Sequence, residues 1–127
     1  MKKLLILLFS ILISFNSYGE WMLLGDNAIG DNYYVEIDTI KEHNGYVYWW
    51  VLTNRLKPNE FGDMSVKGYF QGDCGTNRYK SLSFIFYKQP MGEDEVERVK
   101  PPNDEWEYPT PDSTGHALLS WACDQFR

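Results

Sequence analysis

Two cysteines, Cys74 and Cys123, and two histidines, His43 and His116, are the residues here best equipped for nucleophilic or soft-metal chemistry. A thiolate nucleophile needs a base beside it, and Cys74 with His116 is the couple that could supply both. Metal chemistry needs ligands at short, regular spacings, and no CxxC, HxxxH or HExxH run occurs. The carboxylates Glu93, Asp94, Glu95 and Glu97 form the densest acidic cluster. They lack the alternating Asp/Asn and central glycine of a calcium loop, so the cluster reads as a solvated edge that discourages edge pairing. His43 lies in a turn and reads as solvated. No catalytic residue, metal site or cofactor is assigned from these patterns.

The compartment decides what the thiols do. Residues 1–19, "MKKLLILLFSILISFNSYG", carry two lysines, an apolar run from Leu4 to Phe15, and then small and polar residues. That is the layout of a secretory signal peptide cut before Glu20. The run is shorter than the roughly 20 apolar residues of a membrane span, and with no cysteine in it no lipid anchor is expected. The remaining residues, 20–127, form one domain of 108 residues. In an oxidising compartment an even cysteine count reads as a disulfide. A Cys74–Cys123 bridge closes a loop of 48 residues, which chain entropy values at about 4 kcal/mol, with real bridges often delivering less. Without Lys2 and Lys3, ten basic side chains face eighteen acidic ones, a net charge of −8. That balance argues against a nucleic-acid partner.

The elements that position these residues follow from pattern. Segments 20–24, 33–37 and 46–56 read as strands, with a loop or single helical turn over 38–45. Segments 65–72 and 78–88 read as a hairpin with Cys74 near its tip, Gly75 and Asn77 tolerating left-handed geometry there. Val66 and Phe70 fall on one face of the first arm; Leu82, Phe84 and Phe86 share a face of the second. A short edge strand is expected around 95–100, then a proline-punctuated connector anchored by Trp106. The last segment, "DSTGHALLSWACDQFR", reads as a helix capped by Asp112 or Ser113. Leu118, Leu119, Trp121 and Ala122 would pack on a sheet, with Cys123 tied to Cys74. The fold class is α+β.

"YVYWWVLTNRL" (Tyr46–Leu56) is the strongest strand. Tyr46, Tyr48, Trp50 and Leu52 point one way, and Val47, Trp49, Val51 and Thr53 the other. A strand apolar on both faces belongs at the centre of a sheet and needs cover on each side: a helix, a loop, or another chain. Tyr48, Trp49 and Trp50 are therefore the candidate interaction residues, and a second copy of the chain is one candidate partner.

The ordered landmarks Trp21, "YYVEIDTI", "VYWWVL", "SVKGYFQGDC", "YKQPMGEDEV", "EWEYPTPDS" and "HALLSWAC" run across nearly all of residues 20–127. In that order they resemble the surface-adhesin protein E-like family of Gram-negative bacteria. The resemblance implies an antiparallel β-sheet of about six strands with a C-terminal helix tied to it by one disulfide. It also implies a surface protein that binds host matrix or serum proteins such as vitronectin and laminin. The expected function is that of an exported, non-catalytic binding protein, periplasmic or on the cell surface. The competing readings are a small-ligand carrier or inhibitor, with a helix–sheet cleft lined by Trp106 and Trp121, and a small secreted hydrolase. The hydrolase would use a carboxylate pair or the Cys74–His116 couple.

Overall fold

Among the described residues seven strands form one antiparallel sheet, the central ones dense in β-branched and aromatic residues, and one α-helix lies against it. The structure, a computed structural model, describes residues 21–101 and 105–127. The expected signal peptide, Glu20 and residues 102–104 of the connector lie outside the described residues. The strands are β1 (Trp21–Asp26), β2 (Asn32–Glu36), β3 (Lys41–His43), β4 (Tyr46–Asn54), β5 (Ser65–Asp73), β6 (Arg78–Gln89) and β7 (Glu93–Val99), and the helix is α1 (Thr114–Asp124). Neighbours run β1-β2-β4-β5-β6-β7, with β3 pairing β4 beyond the end of β2. The two-faced aromatic segment, β4, is thus an inner strand.

Where a loop or helical turn is expected after β2, the chain makes one 3-10 turn (Ile37–Thr39) and then returns as β3. Asn44 and Gly45 carry φ of 51° and 83°, the positive values that a two-residue hairpin turn requires and that Asn-Gly supplies readily. The second hairpin is as expected. Asp73 pairs with Arg78 across its turn, and Asn77 takes the left-handed conformation, at φ 54°. The grouping of Leu82 with Phe84 and Phe86 needs correcting. The β5–β6 register slips between Tyr69 and Phe70, pairing them with Ser83 and Ser81 and leaving Leu82 as the extra residue of a bulge. Phe84 and Phe86 remain paired, opposite Gly68 and Val66.

Of the two capping candidates it is Ser113 that caps α1: its Oγ accepts the His116 N–H at 3.1 Å. Leu119, Ala122 and Cys123 are buried against Val35, Val47, Trp49 and Val51, with Leu118 and Trp121 packed at the margin. Gly72 of β5 makes this close approach possible, since a Cβ there would lie 2.7 Å from Leu119 Cδ1 and 2.8 Å from the Trp49 ring. Cys74, just past β5, bridges to Cys123 with Cα atoms 5.9 Å apart. An eleven-residue helix is marginal alone; burial of one stripe and the bridge hold it.

The connector pairs with the part of β6 that β7 leaves uncovered. Tyr79 N–H donates to the Glu107 carbonyl at 2.9 Å, and Glu107 N–H returns a bond to the Tyr79 carbonyl at 2.8 Å. Glu107 thereby shares the helix-covered face with Tyr79. Trp106, one residue earlier, falls on the opposite face, consistent with its ring contact to Tyr46.

Candidate functional site

Residues opposed in an antiparallel ladder share a face, so the register sorts the aromatics. Trp49 pairs with Phe70 on the helix side, and Trp50 pairs with Tyr69 on the other. Trp49 is 2% exposed and stacks on Phe70 at 5.7 Å. It is core, and as a candidate interaction residue it is corrected on that ground. Tyr48 and Trp50 are half-buried on the face that α1 leaves open.

Rings continue along that open face. Trp50 stacks on Tyr69 at 4.6 Å, Tyr69 meets Tyr48 at 6.1 Å, and Tyr46 meets Trp106 at 5.6 Å. Cations lie over these rings. Lys41 Nζ stands 5.9 Å from the Tyr48 ring centre. Arg78 and Lys80 stand 4.2 Å and 4.7 Å from that of Trp106. Lys67 Nζ lies 5.3 Å from Trp21 and 5.2 Å from Tyr87. Every cation–ring contact among the described residues is on this face.

A hollow of about 230 Å³ opens at one end of the stripe, lined by Trp21, Glu36, Thr39, Trp50, Lys67, Ile85, Tyr87 and Arg98. These residues come from β1, β2 and the turn after it, β4, β5, β6 and β7, which is every lane of the six-strand path. Lanes lie about 4.8 Å apart, so a flat sheet would hold the outermost two too far apart to share one small cavity. The sheet therefore curls around the hollow. Burial raises the Tyr87 pKa, with Glu95 adding to the shift and Arg98 opposing it, so the phenol remains neutral at ordinary pH. Arg98 is held by Glu95 at 3.0 Å. Arg78 is held by Asp73 at 3.1 Å. The Asp73 pKa is lowered, chiefly by a hydrogen bond from the Thr76 side chain; burial opposes this, and hydrogen bonds from Arg78 and the Thr76 backbone add to the lowering.

The other predicted sites fare differently. A separate apolar cavity of about 190 Å³ does lie between helix and sheet, but Trp49, Phe70, Tyr79, Thr114, Gly115 and Leu118 line it. Trp106 is on the opposite face, so the expected Trp106–Trp121 cleft is not what forms. Both thiols are spent in the bridge, which removes the Cys74–His116 couple as a nucleophile and base. The acidic cluster lies on β7, exposed at every residue. Among the described residues no group of three His, Cys, Asp or Glu is placed to hold a metal ion, and no helix is long and apolar enough to cross a membrane. Sequence reasoning missed Trp21, Lys67, Tyr69, Tyr87 and Arg98. The alternation of Lys67, Tyr69 and Gln71 with Val66 and Phe70 carried part of that signal; their pairing with Leu52, Trp50 and Tyr48 and the curl that gathers the rest did not show.

A family model described as surface-adhesin protein E matches residues 21–124. Three solved structures of Haemophilus influenzae protein E share the fold. One is 19% identical with a TM-score of 0.59, covering 80% of this chain and 85% of that one. A second is 19% identical with a TM-score of 0.58, covering 84% and 85%. A second crystal form is 20% identical with a TM-score of 0.57, covering 74% and 81%. No curated protein matches the chain in sequence.

Proposed function

Since this chain belongs to the surface-adhesin protein E family, we propose that it is an exported, non-catalytic binding protein that engages a host matrix or serum protein through its open aromatic face. On this reading residues 1–19 are removed as a signal peptide and residues 20–127 act as one domain on the cell surface. The observation that carries the reading is the half-buried Tyr48–Tyr69–Trp50 stack across two inner strands, β4 and β5, on the face opposite the one α1 packs against. Aromatic rings that are fixed by stacking and still reach solvent are the side chains that dominate protein interfaces. The carrier reading has less support, because the helix–sheet cavity of about 190 Å³ is smaller than the roughly 300–1,000 Å³ of drug-sized ligand pockets.

The test is binding of the purified, oxidised domain to immobilised laminin and vitronectin, beside a Tyr48→Ala/Trp50→Ala variant. The wild type should bind, and the variant should keep its circular dichroism while losing affinity by about thirty-fold or more, the scale of a hot spot. A folded variant that binds as the wild type does would place the interaction elsewhere.

A further inference from the structure

We infer that the open face is built for a linear acidic polysaccharide, one whose sugar rings carry sulfate or carboxylate groups, with the hollow around Lys67 as its principal subsite. This rests on the reading that the open face is the binding face.

The first support is charge placement. Outside residues 1–19 the chain has ten cations against eighteen acids. Yet Lys41, Lys67, Arg78, Lys80 and Arg98, half of those cations, stand over the rings or line the hollow of this one face. Lys41 and Lys67 have no carboxylate partner among the described residues. Lys67 is held instead between two ring faces, which engage the ammonium through the π cloud and neutralise none of its charge. A cation fixed in place and left unneutralised is ready to receive an anion without an ordering cost.

The second support is the kind of contact the face can make. Its middle is the interior of a sheet whose backbone N–H and C=O groups are committed to the ladders. A peptide could not add itself there as a strand, because that mode needs a free edge. What remains is a row of flat rings with point charges among them. A pyranose presents an apolar C–H face that fits an aromatic ring, and its sulfate or carboxylate accepts charge-assisted hydrogen bonds from an ammonium or guanidinium. In the hollow, Trp21 and Trp50 supply rings, Lys67 supplies the unneutralised charge, and Glu36 and Thr39 supply acceptors for sugar hydroxyls; Tyr87 is the buried floor, and Arg98 stays paired to Glu95 at the rim. An acidic peptide would use the charges and leave the rings idle.

The experiment titrates the oxidised domain with a short heparin oligosaccharide by calorimetry and tryptophan fluorescence, at low and at physiological ionic strength. Neutral dextran and polyglutamate are titrated in parallel. The expected result is saturable binding of heparin alone that weakens as salt rises, with Lys67→Gln losing about ten-fold in affinity. Arg127→Gln, at the far end of the helix and paired to Asp124, should bind as the wild type does. Equal binding of polyglutamate would overturn the saccharide assignment in favour of an acidic peptide. Absence of heparin binding, or a folded Lys67→Gln variant of undiminished affinity, would overturn the proposal. Laminin binding retained alongside either negative result would leave the adhesive reading standing and the saccharide one refuted.

Discussion

Tyr79 shows how one side chain reports on the packing around it. It lies beneath the first turn of α1, with its hydroxyl 3.0 Å from where a Cβ on Gly115 would stand, and its backbone holds the connector at Glu107. Burial first, and then a hydrogen bond with the Glu107 side chain, together raise its pKa from 10.0 to about 12. A folded-state pKa above the unfolded one means the neutral phenol is favoured by folding. The associated stability is fully present below about pH 10 and is lost as pH rises through about 12. Denaturation midpoints measured at intervals from pH 9 to 12 should fall most steeply in that window, and Tyr79→Phe should flatten the fall. An unchanged slope in the variant would assign the alkaline loss to other groups.

At the scale of elements, the sheet was more legible than its details. Segments dense in Val, Tyr, Trp and Phe became strands because a pleated, packed surface favours those shapes. Ser113 became a cap because its oxygen meets a free N–H of the first turn. The misses have physical causes. The Asn44-Gly45 turn was recognisable, but Lys41, Glu42 and His43 show no apolar alternation, since all three are exposed and β3 exists by pairing with β4. The Leu82 bulge depends on how β6 passes β5, and no local pattern in "SLSFIF" marks it. The helix, by contrast, rests on one stripe and one covalent tie. Cys123→Ser, or reduction of the wild type, should cost about 2–4 kcal/mol in a urea titration. Loss of far-ultraviolet helical signal should begin at lower urea than loss of the sheet's aromatic signal. Coincident transitions would mean that packing of Leu119 and Ala122 holds the helix without help from the bridge.

For the whole molecule, a sheet with a helix on one side leaves open what the second apolar face is for. The alternation in β4 revealed that two faces existed. Their different fates depend on where α1 and the connector settle, and on a curl that brings Trp21 and Arg98 to one hollow; both are long-range outcomes invisible in a local window. Two adjacent tryptophans put the distinction to a test. Trp49 is sealed between Phe70 and the helix, so Trp49→Ala removes a large core side chain and should cost about 3–5 kcal/mol. Trp50 has the same chemistry and stacks on Tyr69, but it is only half-buried and reaches solvent, so Trp50→Ala should cost less, about 1–3 kcal/mol from partial burial and one aromatic pair. Binding should show the reverse contrast: a Trp49→Ala variant still folded under stabilising conditions keeps its affinity, while Trp50→Ala loses it. Urea titrations of both variants decide the stability half. If Trp50→Ala proves as costly as Trp49→Ala, the open face is a second core, and its rings belong to the fold and not to a partner.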